Sequence, residues 1–551
     1  MRMLAYGRMS ILLRFIATAF VFLLVAGPAG SQQPPPRGQA AQIAHAQQKI
    51  AHVIVVYEEN WSFDGLYAFY RGANGSRGTA GGPQLQCPLG GTADDAPLPG
   101  NPPALIVAGN PTGPWPCGWQ GVSNPSDANW ATDKNIPAGL SVGPFNLSYY
   151  DPPATKTGDL WHIFWHEQLQ IDTGKLEPSN GSMDKFIEYS SNPGLVMSYY
   201  HAEALAEGRI ARHYTMADNF FHSAFGGSFL NHQWLICACT PVWNQPLPTS
   251  NVKTFESYWD VASKTLNDSN LTTMPMPQNS PGPQSGAKYY VVNTTFTTNL
   301  PRPGATQDQL LKPIPPSTKT IGDLMSDARP AVSWKWYSGR FAQAIVDRSA
   351  ANVCASASKA NPTNEIRDDG PCFQWHHQPF VYYERWGGDG SALAESPHLQ
   401  DDNQYYHDLR AGTLPQVSFL KPVGVYNDHP GYASFAEGQS KLQSYMAALC
   451  KSKYWKNTVL IITYDENGGR WDHVTPPKID QWGPGTRVPA IIISPYSRAG
   501  KVDSTQYETV SILAFIEKLF HLPSLNARDA HASPLLNAFD FTQAPLACQS
   551  S

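Results

Sequence analysis

His52-Val-Ile-Val-Val-Tyr57 is an unbroken apolar run of strand length, followed at once by Glu58-Glu-Asn-Trp-Ser-Phe-Asp64. Similar runs recur at 331–337, 417–420, 458–464 and 488–493. Strands that are apolar throughout, rather than at alternate positions, belong to a sheet covered on both faces, hence to a parallel α/β sheet. Between them, residues 231–236, 435–450 and 510–521 place apolar side chains at three- and four-residue spacing, which predicts helices. The expected architecture is a doubly wound, mostly parallel sheet.

Outside these elements, two stretches near 82–153 and 241–318 are dense in Pro, Gly, Asn and Thr without a sustained period. They read as long insertions or lids in a single domain spanning 49–548. Ahead of that domain, a Pro/Gln-rich segment at 31–48 reads as a linker. Residues 1–30 carry Arg2, Arg8 and Arg14, then an apolar run from Phe15 to Ala26, then small residues, which is the pattern of a secretory signal peptide. The run is too short to span a bilayer, which takes roughly 20 residues, so a secreted or periplasmic protein without a stable membrane anchor is expected. Removing that segment leaves 36 basic against 44 acidic residues, a balance that argues against a nucleic-acid partner. Eight cysteines in an exported chain predict disulfides, with Cys87–Cys117 and Cys354–Cys372 as the expected pairs across polar loops. Cys237-Ala-Cys239 reads as buried thiols or a disulfide.

In open α/β sheets the chemistry lies beyond the carboxyl ends of the strands. The first strand is followed by Glu58, Glu59, Asn60 and Asp64, and the run at 458–464 by Asp465-Glu-Asn-Gly-Gly469. Acidic groups crowded at two strand ends repel one another unless a cation neutralises them, and oxygen donors of this kind suit a divalent metal. A solvated turn or a helix cap is the alternative for either cluster alone. In Gly226-Gly-Ser228-Phe-Leu-Asn231-His232, two glycines turn the backbone before a helix starting at Ser228, whose free amides would welcome an anion. Asn231 and His232 fall on the same helical face and are expected to bind that anion, although Gly-Gly-Ser is also an ordinary N-cap. His162, His376, His377, His429 and His473 stand in polar segments, where protonated rings can bind phosphate oxygens or protonate a leaving alkoxide.

Glu58-Glu-Asn-Trp-Ser-Phe-Asp64, Gly226-Gly-Ser-Phe-Leu-Asn-His-Gln233, Asp465-Glu-Asn-Gly-Gly469 with Asp472-His473, and Arg487-Val-Pro-Ala-Ile-Ile-Ile-Ser-Pro495 together resemble the family of bacterial acid phosphatases and phosphatidylcholine-type phospholipases C. The likeness runs in order from about His52 to Leu522, with the two insertions unmatched. It implies an α/β/α sandwich of the alkaline-phosphatase and sulfatase type. It also implies one divalent metal held by Glu59, Asn60, Asp465, Glu466 and the nucleophile Ser228. His162, His429 and one of His376 and His377 resemble phosphate-binding histidines. Gly226-Gly-Ser-Phe departs from the Gly-Pro-Thr-His-Pro pattern of the phospholipase branch, which favours an acid phosphatase acting through phosphoserine. Phospholipase C action on a phosphatidylcholine-like lipid is the alternative, and a non-catalytic binding protein on the same scaffold is the alternative from another class. No Cys-x-Pro-x-Arg motif of a sulfatase is present.

Overall fold

The computed structural model describes residues 37–76, 144–172, 183–187, 190, 193–245, 289–307, 310–351, 372–388 and 391–550, and short strands at 105–106, 140–141, 259–260, 265–266 and 273–275. The expected signal peptide, residues 1–30, and Cys87, Cys117 and Cys354 lie outside these residues.

Eight strands form the central sheet: β1 His52–Glu58, β2 Thr215–Ala217, β3 Trp334–Ser338, β4 Leu399–Asp401, β5 Val417–Lys421, β6 Thr458–Tyr464, β7 Ala490–Ile493 and β8 Lys501–Asp503. Their spatial order is β4-β3-β5-β1-β6-β7-β2-β8. The first five of that order are mutually parallel, and β8 is parallel to β2. β7 runs against both of its neighbours, so the expected strand at 488–493 exists with the opposite direction. The cause is the connection after β6. It carries no helix to return the chain to the far end of the sheet, and a parallel neighbour needs such a crossover.

The helices used below are α1 Arg37–Lys49, α2 Phe63–Tyr67, α3 Phe164–Ile171, α4 Ser228–Cys237, α5 Asn403–Ala411, α6 Phe435–Cys450 and α7 Thr509–Leu519. α7 packs against α4 and α1, whereas α5 packs against α6. All seven residues of β6 and all of β1 after His52 are buried, so both faces of the sheet are covered, as unbroken apolar strands require. α1 corrects the reading of 31–48 as linker. Its Ala46 and the following Ile50 are buried, and Gln47 Nε2 donates to Lys518 O at 2.7 Å, so tertiary docking orders a polar helix of low intrinsic amphipathicity. Cys450 is bonded to Cys548 and Cys237 to Cys239. Cys372 is also disulfide-bonded.

Register decides where the site forms. β1 and β6 pair from His52↔Thr458 to Glu58↔Tyr464, so both strands end level and the next residues, Glu59 and Asp465, emerge side by side. On the other flank Val56 pairs with Leu420, which brings Lys421 to the same end.

Candidate active site

The two strand ends interlock through their backbones. Asn60 N donates to Asp465 Oδ1 at 3.1 Å and Glu466 N to the same oxygen at 2.8 Å, while Gly468 N donates to Glu466 Oε2 at 2.5 Å. Asn60 has φ +65° and Gly468 φ +63°. A Cβ at Gly468 would stand 2.3 Å from Asn60 O, so only glycine lets the two loops approach. Glu59, Asn60, Asp465 and Glu466 are all fully buried.

This cluster carries the mark of a cation site. Asn60 Nδ2 faces two imidazole nitrogens, His429 Nε2 at 3.1 Å and His162 Nε2 at 3.4 Å. Each ring donates its Nδ1–H to a carbonyl, Pro430 O and Leu160 O, at 2.5 Å, which leaves Nε2 as the acceptor in a neutral ring. The amide nitrogen is therefore correctly directed at the histidines. Its oxygen then lies 2.8 Å from Glu466 Oε1 and 3.2 Å from Glu59 Oε2, so three oxygens converge on one point. Asp465 Oδ2 is buried without any hydrogen-bond partner. Among the described residues Lys421 is the lone lysine or arginine in ion-pair contact with the three carboxyls, and it sits on Glu59 Oε1. Burial, reinforced by the Asp465 charge, holds the Glu59 and Glu466 carboxyls well above the ordinary range. A divalent ion would relieve that repulsion and satisfy the orphaned oxygens, so these residues fit a metal.

Ser228 completes the constellation. Its Oγ donates to Glu59 Oε2 at 2.8 Å. The helix cap is Gly227, with no side-chain capping bond, so the Ser228 hydroxyl is not spent as an N-cap. Gly226 has φ +86°, and a Cβ there would meet Phe164 N at 2.5 Å, which accounts for the glycine at this turn. Its N–H donates to Glu167 Oε2 at 2.5 Å, and Glu167 Oε1 in turn accepts from His222 Nε2 at 2.8 Å and Thr486 N at 2.9 Å. This buried carboxylate on α3 fixes the turn.

Several expected ligands have other partners. Asn231 Nδ2 donates to the carbonyls of Ala224 and Gly226 at 3.0 and 3.1 Å, and its Oδ1 accepts from Ala224 N at 3.1 Å, so its amide staples the turn and has nothing left for an anion. Asn231→Ala is expected to lower stability by about 2 kcal/mol or more, measured by denaturant unfolding. A ligand-binding role alone would leave stability unchanged. His232 donates Nδ1–H to Ser228 O at 2.7 Å, is fully buried, and turns Nε2 toward Glu59 Oε1 at 3.8 Å, away from any open surface. His473 belongs to a separate network. Its Nδ1 lies 2.6 Å from Asp64 Oδ2, and Arg487 holds Asp472 at 2.8 Å and Asp64 at 3.4 Å.

The doublet resolves into two environments. His377 stacks on His232 with ring centroids 4.8 Å apart, and its Nε2 lies 3.3 Å from Glu59 Oε2. His376 lies edge-on to it at 4.3 Å and is partly exposed. Burial opposes charge on the rings of this set. Burial pushes His377, His429 and His232 well below the usual imidazole range. His376 falls to about 3 through burial, with Lys421, Arg302 and His162 adding positive charge. Lys421 and Glu167 were not legible as site residues. A lysine closing an otherwise apolar parallel strand is the one local signal for the former.

A family model described as the Phosphoesterase family matches residues 50–523. Phospholipase C A of Mycobacterium tuberculosis (strain ATCC 25618 / H37Rv) is 33% identical over 165 residues, covering 25% of this chain and 32% of that protein. Non-specific phospholipase C6 of Arabidopsis thaliana is 35% identical over 167 residues, covering 24% and 32%. The match thus spans about a third of the length of these curated relatives. Among solved structures, a protein in the alkaline phosphatase superfamily from Vibrio parahaemolyticus aligns with a TM-score of 0.18 and 10% identity, covering 39% of this chain and 62% of that one.

Proposed function

This chain belongs to the Phosphoesterase family, and on that premise we propose that it is a secreted phosphoric ester hydrolase of acid-phosphatase type, working on phosphomonoesters through a phosphoserine at Ser228. The observation that carries this reading is the Ser228 hydroxyl, 2.8 Å from Glu59 and not used as a cap, beside converging buried oxygens. Glu59, Asn60, Asp465, Glu466 and the Ser228 oxygen would hold one divalent ion, which when bound supplies Lewis-acid charge beside the nucleophile. Ser228 Oγ attacks phosphorus as its proton passes toward Glu59 Oε2, the P–O bond to the alcohol breaks and the departing alkoxide takes a proton from solvent, and water later hydrolyses the phosphoserine. The first turn of α4 offers amides without intrahelical acceptors to the phosphoryl oxygens.

The histidines give this chemistry its pH dependence. His162 and His429 each commit Nδ1–H to a carbonyl, so donating Nε2–H to a phosphate oxygen requires the charged ring. Burial and the neighbouring His162 hold the His429 ring below its ordinary range, so its charged fraction shrinks as pH rises, and a bound dianion opposes that loss. Accordingly kcat/KM for a small phosphomonoester should fall as pH is raised from about 4 to about 8, and orthovanadate should inhibit more tightly than phosphate. A rate that climbs steadily through neutrality would contradict the role given to these rings.

The relatives' names support a second reading, a phospholipase C. Comparing a phosphomonoester, a phosphodiester and phosphatidylcholine separates the two, since diacylglycerol as the preferred product would place the chain with the phospholipases. A non-catalytic scaffold predicts no turnover of any of the three. Export is supported by the pattern of residues 1–30 and by the Cys450–Cys548 and Cys237–Cys239 bonds. Among the described residues no helix is long and apolar enough to cross a membrane.

A further inference from the structure

Lys421 closes β5, one step past the Val56↔Leu420 pair, and this register carries its ammonium to the end of β1. Its Nζ donates to Tyr57 O at 2.7 Å and to Glu59 Oε1, and the side chain is buried. Glu59 thus has one oxygen tied to a fixed cation and the other, Oε2, free to receive the Ser228 hydroxyl. Two imidazoles face the same carboxylate. His232 Nε2 lies 3.8 Å from Oε1 and His377 Nε2 lies 3.3 Å from Oε2, with the two rings within 6° of parallel. Both nitrogens are buried without a hydrogen-bond partner, and His232 commits its Nδ1–H to Ser228 O, so its Nε2 offers a lone pair. The Tyr57 and Trp336 rings pack on His232 at 4.9 and 6.2 Å, which keeps the ring in place. One donor atom from each of Glu59, His232 and His377 falls within 4.8 Å of the other two. Donors around a tetrahedral zinc at about 2.1 Å stand roughly 3.4 Å apart, so this set of two imidazoles and a carboxylate is close to a zinc site in spacing and in kind. The positive charge at Glu59, however, comes from Lys421.

We propose that Lys421 is a built-in cation that takes the place of a second metal ion, which Glu59, His232 and His377 would otherwise bind, and so sets the metal count of the centre at one. The inference rests on the metal reading above and extends it to a set of ligands outside that centre. Charge balance supports it. Glu59, Asp465 and Glu466 bring three negative charges when ionised, which one divalent ion and one ammonium offset. A second divalent ion beside Lys421 would put uncompensated positive charge in a buried place, which is costly. With the ammonium gone, the same place holds an unbalanced carboxylate next to two imidazole nitrogens. Burial first, and then nearby positive charge that includes Lys421, keep both rings neutral and their lone pairs available.

The test counts zinc bound per chain, by equilibrium dialysis and elemental analysis, in wild type, Lys421→Met, Lys421→Gln, Lys421→Arg and the double variant Lys421→Met with His377→Ala, while circular dichroism follows folding. Wild type and Lys421→Arg should hold about one zinc, Lys421→Met and Lys421→Gln about two, and the double variant about one again. Glutamine is included because its amide can still donate to Tyr57 O. A Lys421→Met chain that folds only in excess zinc supports the proposal as well. Lys421→Met and Lys421→Gln that hold no more zinc than wild type, or that excess zinc does not refold, overturn it. So does a second zinc that survives the loss of His377, or one that enters Lys421→Arg with the charge kept. Wild type that binds no divalent ion overturns the metal centre itself, and the role of Lys421 with it.

Discussion

Ser228→Ala is expected to lose about four orders of magnitude or more in phosphomonoester turnover, the scale seen when a covalent nucleophile is removed. The fold should survive. Gly227 rather than Ser228 caps α4, and the bond lost is a single hydroxyl donated to Glu59. A net hydrogen bond contributes about 1 kcal/mol, and removing it also relieves nothing essential in the Gly226 turn, which Glu167 and Asn231 hold independently. Turnover near wild type would move the nucleophile elsewhere, and loss of activity together with a large drop in stability would reduce Ser228 to a structural residue.

Asp465→Asn is expected to lower metal affinity by about 100-fold or more, since even groups that only support a ligand cost 10- to 100-fold when lost. Activity should fall in parallel. The change is conservative for the fold because Asp465 Oδ1 does the structural work, accepting from Asn60 N and Glu466 N, and an asparagine oxygen can do the same. What changes is Oδ2, the buried oxygen without a hydrogen-bond partner, which becomes an amide that cannot bind a cation. Bound metal per chain, measured beside turnover, decides between ligand and helix cap. Asparagine caps about as well as aspartate, so an unaltered metal content with full activity would leave only the cap.

Much of this arrangement was readable from local pattern. β1 and β6 are continuous apolar runs, and their level register puts Glu59 beside Asp465, as acidic residues at two strand ends imply. The span of α6 was likewise legible in periodicity, and the helix start at Ser228 in the two glycines before it. Direction was not: β7 is as apolar as its neighbours, and only the helix-free connection before it sets its sense. β2, β4 and β8 are three residues each, too short to leave a pattern. Spacing along a helix does not reveal that the Asn231 amide turns back to the preceding loop or that His232 bonds Ser228 O in its own first turn. His473 neighbours Asp472, and sequence does not show that Arg487 and Asp64 would claim both. Lys421 escaped because its partner Glu59 is 362 positions away.

Covalent trapping tests the central claim most directly. Wild-type protein mixed with a phosphomonoester, quenched in acid during turnover and mapped by peptide mass, should carry one phosphoryl group on the peptide containing Ser228, and Ser228→Ala should carry none. Steady turnover with no phosphopeptide, or a phosphoryl group on a histidine or on another serine, would contradict the account.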